Sequence, residues 1–164
     1  MKANFSLSMV LVSVLAILSS CSGVWITFLW SEQDGVSYEL ASDADEATAV
    51  GYYVRNGKLG KNIVLPPELE ANDKTYKVVA VKDSAFIDGP WEKVVFGSNI
   101  RSIGRAAFGN CESIRSVRID GSVLPELSES AFEDNVYEEA TLYINPGVDV
   151  SGSAWARFST VIEF

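Results

Sequence analysis

The chain has 164 residues, enough for one domain of ordinary size and a short appendage. Its 48% apolar and 21% charged residues are typical of a globular protein, and its net charge of −9 argues against nucleic-acid binding, which needs a basic face. The sequence contains no histidine, which removes the commonest general base and metal ligand.

The N-terminal segment has the pattern of an export signal. No residue from Ala3 to Ser31 is charged, and the stretch Phe5 to Leu18, after Lys2, is rich in Leu, Val, Ile and Met. A short basic region followed by an apolar run is the physical requirement for engaging a secretion channel. We therefore predict a lipoprotein-type signal peptide over residues 1–20.

The end of this apolar run, Leu18-Ser19-Ser20-Cys21, resembles the bacterial lipobox. The resemblance implies diacylglycerol transfer to the Cys21 thiol and cleavage just before Cys21. Because two or more acyl chains give stable anchoring, we predict Cys21 as the lipid attachment site. The expected location is the cell envelope, in the outer membrane or at the surface of a Gram-negative bacterium.

Two alternatives remain open for the N-terminus. One is an ordinary cleaved signal peptide in which the cysteine is incidental. The other is an uncleaved transmembrane anchor, because Val24–Trp30 prolongs the apolar run past the roughly 20 residues that cross a ~30 Å hydrocarbon core. Residues 21–33 are predicted to be a tether, whose aromatic part could lie in the membrane interface or pack on the domain.

Residues 34–77 are predicted to form an N-terminal β cap. Val36–Leu40 alternates in polarity and Ala49–Val54 is rich in β-branched and aromatic residues, which indicates antiparallel strands. A further strand, Asn62–Leu65, ends at a Pro-Pro pair, since proline cannot donate to a sheet ladder.

Residues 78–147 contain three copies of one pattern. Each copy has a Phe with a small residue before it, and the three Phe residues are 22 and 24 residues apart. An alternating apolar pair follows each Phe, and two copies show the L-x-x-L-x-L spacing of a leucine-rich-repeat strand. The aligned positions are Phe86, Phe108 and Phe132, followed by Val94 and Phe96, Val117 and Ile119, and Leu142 and Ile144.

One coil of this length cannot bury its apolar side alone, so the copies must stack and their ends must be capped. Residues 148–164 are the predicted C-terminal cap, in which Trp155, Phe158 and Ile162 have the spacing of one helical face. The predicted fold class is α+β: a short leucine-rich-repeat solenoid of about three coils, with a parallel strand ladder, an N-terminal antiparallel hairpin cap and a C-terminal cap.

The central copy, Ile103 to Ile119, resembles the repeat of the BspA-like leucine-rich-repeat family, roughly I-G-x-x-A-F-x-x-C-x-x-L-x-x-V-x-I-P. Asp120 replaces the final proline, and Gly89 and Asn135 stand where the other copies would have the cysteine. The resemblance covers about Asp34 to Phe164. It implies an adhesin or recognition module, since the family includes secreted and surface proteins of anaerobic bacteria, and some members bind host matrix proteins.

The candidate binding residues are Arg115, Arg118 and Tyr143, at expected outward positions of the strands. The two arginines could form a contact patch, or they could balance the nearby Glu92 and Glu112. We expect a non-enzymatic, membrane-anchored module for protein or ligand binding, adhesin-like in character. The alternative is a structural or accessory envelope lipoprotein without an external ligand.

The residue inventory gives little basis for an enzyme. Without histidine there is no Ser-His-Asp arrangement and no zinc-protease helix, and no cysteine pair has zinc spacing. Gly51–Lys58 misses the glycine spacing of a phosphate loop by one residue, with Leu59 where a hydroxyl is needed. The adjacent Glu138 and Glu139 would point to opposite faces of a strand. We predict no catalytic activity, no cofactor and no metal.

Two remaining features are interpreted as structural. Asp43, Asp45 and Glu46 form an acidic loop that lacks the glycine and the distant glutamate of a calcium loop, so a solvated turn is predicted. Cys111 is predicted to be a small buried hydrophobic residue that carries a thiol.

Overall fold

The computed structural model describes residues 35–41, 43–54, 60–71 and 73–164, together with the backbone of residues 27–30. The predicted signal peptide and the predicted lipid site, Cys21, lie outside the described residues. Part of the segment compared with a phosphate loop, residues 55–59, also lies outside them. Within the described ranges, no helix is long and apolar enough to cross a membrane.

The described chain is built mainly from short strands, with one α-helix of six residues and one short 3₁₀ helix. The strands are β1 (Thr27–Trp30), β2 (Val36–Ala41), β3 (Glu46–Tyr52), β4 (Asn62–Leu65), β5 (Glu68–Ala71), β6 (Lys74–Val81), β7 (Lys93–Phe96), β8 (Ser102–Ile103), β9 (Ser116–Ile119), β10 (Glu126–Leu127), β11 (Thr141–Ile144) and β12 (Thr160–Glu163), the α-helix is α1 (Asp134–Glu139), and the 3₁₀ helix is Ala154–Arg157.

These strands form two sheets that run side by side along a solenoid. The five-stranded sheet has the order β12-β11-β9-β7-β4 and every pairing in it is parallel. The second sheet has the order β1-β2-β3-β6-β8-β10, with β5 paired to β6. Each of the three predicted copies adds one strand to each sheet, so the predicted short leucine-rich-repeat solenoid is confirmed.

The N-terminal region joins both ladders. Strands β2 and β3 form the predicted antiparallel hairpin, but β3 then pairs in parallel with β6, and β4 pairs in parallel with β7. The region predicted as a cap therefore also supplies an atypical coil. The segment Thr27–Trp30 pairs antiparallel with β2 at the outer edge of the second sheet.

The three aligned Phe residues form the predicted column inside the solenoid. The ring centroids of Phe86 and Phe108 are 5.2 Å apart and those of Phe108 and Phe132 are 5.0 Å apart, with interplanar angles of 17° and 8°. Trp91 packs edge-on against Phe86 at one end of the column, and Phe158 against Phe132 at the other. Stacking of equivalent side chains is thus what joins the coils.

The glycine of the I-G pattern is required by contact between coils. A Cβ atom at Gly104 would lie 2.4 Å from Oδ1 of Asp83 in the preceding coil and 2.6 Å from the Asp83 nitrogen. The same Oδ1 accepts a hydrogen bond of 2.7 Å from the backbone N–H of Arg105. A residue with a side chain at position 104 would separate the two coils at this point.

The C-terminal cap differs from the predicted helix. Trp155 and Phe158 are buried over the last coil, and the Trp155 indole N–H donates to the Pro125 carbonyl at 2.7 Å. The 3₁₀ helix ends at Arg157, however, and Ile162 lies in β12, where its side chain is 43% exposed. The predicted helical face was therefore wrong at Ile162, because pairing with β11 extends the chain there.

Cys111 is buried beside the Phe column, as predicted. Its Sγ lies 3.1 Å from the Phe86 carbonyl oxygen and 3.4 Å from that of Gly109, which makes the thiol a donor to buried acceptors. Burial raises the pKa of the Cys111 thiol to about 11. The thiol is therefore protonated and shielded near neutral pH.

Truncation of the central aromatic ring tests the stacked column. We expect Phe108→Ala to lower the free energy of unfolding by about 3–5 kcal/mol in urea titrations, because it removes both ring contacts and leaves a cavity. Val123→Ala, at a position that is 76% exposed, should change it by less than about 0.5 kcal/mol. A loss below about 1 kcal/mol for Phe108→Ala would contradict the column model.

The Cys111 thiol should report on opening of the solenoid. In a Cys21→Ala background at pH 8, we expect labelling by a disulfide reagent to proceed only at the rate of global unfolding, because the folded thiol is protonated and inaccessible. Stability should be constant below the unfolded thiol pKa near 9 and should fall as the pH rises toward 11, because the thiolate is favoured only in the unfolded chain. Rapid labelling in the absence of denaturant would show that the site is open.

Candidate binding surface

Successive side chains of each strand point to opposite sides of the five-stranded sheet. One side packs on the core, and we call the solvent-facing side the outer face. The register between strands aligns outward side chains into two rows across this face. The polar row is Asn62, Lys93, Ser116, Thr141 and Thr160. The mixed row is Val64, Val95, Arg118, Tyr143 and Ile162.

The mixed row and its flank expose several large apolar side chains. Val64 is 41% exposed, Ile162 is 43% exposed and Phe164, two residues further along the chain, is 44% exposed. Val95, between Val64 and Arg118, is almost covered at 9%. Val64 and Ile162 lie on the two edge strands with Arg118 and Tyr143 between them, so the mixed row presents apolar and polar groups side by side across the sheet.

Arg118 lies at the centre of the outer face. Its Nε donates to Oδ1 of Asp120 at 2.5 Å, and the guanidinium carbon lies 3.9 Å from the centroid of the Phe164 ring. The carboxylate and the ring hold the guanidinium group in one place while its side chain stays 41% exposed. Arg118 therefore presents a planar, pre-oriented donor group to solvent.

Arg115 is not part of the same patch. It precedes β9, and its Nη1 donates to the Glu112 carbonyl at 2.6 Å and to the Ile114 carbonyl at 2.9 Å. Its Nη2 forms an ion pair of 2.8 Å with Glu139. Each predicted arginine thus has its own carboxylate, but the partners are Glu139 and Asp120 rather than the suggested Glu92 and Glu112 side chains.

Two lysines complete the charges of this surface. Lys61 forms an ion pair with Glu92 at the start of the strands. Lys93, in the polar row, is exposed and forms no ion pair with any residue that the structure describes. Among the described residues, the outer face therefore carries a positive charge without an ion-pair partner between Asn62 and Ser116, although the whole protein is acidic.

Tyr143 lies between Arg118 and Ile162 in the mixed row and is half-buried. Sequence reasoning placed Tyr143 and Arg118 on the outer face but missed Val64, Ile162 and Phe164. The alternation of Asn62–Leu65 and of Thr160–Glu163 was the available signal, since both segments have the period of a strand.

The residues considered for chemistry are engaged in other contacts. Asp45 pairs with Lys74, and Glu46 pairs with Arg101 at 2.8 Å. Among the described residues, no group of three or more His, Cys, Asp or Glu side chains could hold a metal ion.

The two adjacent glutamates, Glu138 and Glu139, end helix α1, so the prediction that they lie on opposite faces of a strand was wrong. Residue 139 enters the helix because the third copy inserts a helical turn before β11.

Comparison with known proteins agrees with the solenoid. Residues 79–154 match the family model described as BspA type leucine-rich repeat region (6 copies). No curated protein matches the chain.

Two solved structures share the fold. One is a leucine-rich repeat protein from Bacteroides capillosus ATCC 29799, with a TM-score of 0.59 and 18% identity over 80% of this chain and 95% of that one. The other is a leucine-rich cell surface protein from Faecalibacterium prausnitzii A2-165, with a TM-score of 0.50 and 21% identity over 79% of this chain and 41% of that one. The chain therefore has a leucine-rich-repeat fold, and its residues 79–154 match the BspA-type repeat.

Proposed function

We propose that this protein is a non-enzymatic binding module of the bacterial envelope that captures a protein partner on its outer face. The observation that carries the proposal is the mixed row, in which Arg118 and Tyr143 lie between the exposed apolar residues Val64 and Ile162. Arginine and tyrosine are enriched among the residues that dominate the energy of protein interfaces.

The surface is suited to binding because its side chains are held in place before a partner arrives. The strands under it are joined by a parallel ladder, and the inward residues Val94, Val117 and Leu142 are fully buried. The Asp120 carboxylate and the Phe164 ring further restrain Arg118. Pre-organisation of this kind reduces the entropy lost on association, so more of the contact energy contributes to affinity.

The charges of the outer face favour a partner segment that is both apolar and acidic. Lys93 offers an exposed ammonium group on the same face as Val95, and the exposed part of the Arg118 guanidinium group can donate to a carboxylate. Arg115, held to Glu139 at the rim, contributes less under this proposal. A host-matrix protein is the class of partner that the family resemblance implies.

We further propose that a lipid on Cys21 anchors the module to a membrane. Only five residues separate Cys21 from Thr27–Trp30, which pairs with β2. At about 3.5 Å per residue, the six steps from Cys21 to Thr27 span at most about 21 Å, so the anchored domain would stay close to the bilayer. The cell-surface description of the Faecalibacterium protein supports a surface location for this one.

Substitutions on the outer face test the binding proposal. We expect Tyr143→Ala or Arg118→Ala in the full-length protein to weaken capture of solubilised extracellular-matrix proteins by about tenfold, since residues of these types at interface centres contribute about 1–2 kcal/mol or more. Arg115→Ala should weaken capture by about threefold or less. Binding is measured by surface plasmon resonance on immobilised protein.

The matched control is Val123→Ser, which changes a side chain that is 76% exposed on the loop between β9 and β10. It should leave capture unchanged. Equal loss for Val123→Ser and Tyr143→Ala, or no loss for either outer-face variant, would rule out the outer face as the binding site.

The anchoring proposal predicts a change in mass. Intact-mass analysis of membrane-extracted protein should give residues 21–164 plus acyl chains, and Cys21→Ala should abolish that species because the acceptor thiol is gone. An unmodified full-length mass in both proteins would instead indicate an uncleaved transmembrane segment.

A further inference from the structure

The five-stranded sheet leaves one core position uncovered, at β12. Val161 is in register with Leu142, so it occupies the inward position that the other strands use for the core. The equivalent residues Ile63, Val94, Val117 and Leu142 are at most 1% exposed. Val161 is 37% exposed, because no described segment lies over it.

The backbone of β12 also has a free edge. The N–H of Phe164 donates to the Ile144 carbonyl of the preceding coil at 3.2 Å. Because successive residues of a strand direct their N–H and C=O groups to opposite sides, Val161 and Glu163 direct theirs away from β11. Within the described chain no strand pairs with that edge, and such edges are templates for pairing with another strand.

The other end of the sheet is different. On β4 the inward residues Ile63 and Leu65 are each 1% exposed, so the core is closed at that end. In a head-to-tail chain of molecules, the β12 end of one copy contacts the β4 end of the next, where the core is already covered. In a two-fold dimer, the β12 ends of both copies contact each other. Within the described residues β4 is an edge strand as well, but its core residues are covered, so only pairing of two β12 ends covers an exposed core residue in both copies. This difference favours a closed, two-fold assembly.

We propose that β12 pairs antiparallel with β12 of a second copy of this chain, joining two five-stranded sheets into one. In this arrangement Val161 lies opposite Val161 of the second copy and Thr160 lies opposite Ile162. Inward residues meet inward residues and outward residues meet outward residues, as antiparallel pairing requires. The Val161 N–H group of each copy then donates to the Val161 carbonyl oxygen of the other.

The charge of Glu163 selects this register. With Val161 opposite itself, Glu163 faces the neutral Ser159. A shift by two residues would place Glu163 opposite the apolar Val161, and a shift by four would place it opposite Glu163 of the second copy, where like charges repel. The contact is small, so dimerisation should depend on concentration unless the chains share a membrane surface.

Disulfide trapping tests the dimer in the full-length chain. Residues in a hydrogen-bonded antiparallel pair have Cα atoms about 5.5 Å apart, within the range that a disulfide spans. We expect Val161→Cys, treated with copper phenanthroline in detergent, to form a covalent dimer about tenfold faster than the more exposed Val123→Cys. Cys21 is common to both variants, and Cys111 is buried in both.

Light scattering supplies the second measurement. The unsubstituted chain should show the mass of two copies at high concentration, and Val161→Lys, which places a like charge at the two-fold axis, should show the mass of one. Because Val161 is partly exposed, the lysine variant should keep the thermal stability of the parent. Equal trapping of Val161→Cys and Val123→Cys, a single-copy mass for the parent, or a persistent dimer in Val161→Lys would each overturn the proposal.

Discussion

Stacking of Phe86, Phe108 and Phe132 is the contact on which the rest of the molecule depends. Each ring packs against an equivalent ring about 5 Å away in the neighbouring coil, and all three rings are buried. Coils spaced in this way bring their backbones to the distance at which parallel ladders form on both sides of the column. The outer face, with its aligned rows, is a product of that spacing rather than of any contact among its own side chains.

The repeated part of the fold could be predicted because its signals recur. A Phe with a small neighbour and an alternating pair after it occurs three times, so each copy supports the interpretation of the others. Strand β4 gave no such support. Four alternating residues, Asn62–Leu65, indicate a strand, but nothing local indicates that its partner is Lys93–Phe96, across about 30 residues of chain.

The C-terminal region shows how two periods can compete in a short segment. Trp155, Phe158 and Ile162 fit the spacing of a helix, while Thr160–Glu163 also fits a strand. The ladder of β11 offers backbone partners to an extended chain, and this tertiary contact decides the outcome beyond Phe158. For the same reason the exposure of Ile162 and Val161 could not be inferred from spacing alone.

Strand alternation made the outward positions of the candidate site predictable. The contacts that long side chains make with distant residues were not predictable. Arg118, Asp120 and Tyr143 are outward by the period of two, and the Arg118–Asp120 pair could have been found from that spacing. The pairing of Arg115 with Glu139 could not, because it needs the helical turn of the third coil to bring the carboxylate back to β9.

The short pairing of Thr27–Trp30 with β2 has a mechanical consequence for an anchored chain. Tension between a membrane and a ligand on the outer face would act along the solenoid axis, in the direction of the bonds that join one strand to the next. Loaded in this direction, strands separate one after another, and the four-residue pairing at the anchored end is the first to bear the force. Its release would lengthen the tether by several residues while the Phe column and the outer face stay folded, so the N-terminal strand would act as an extensible link.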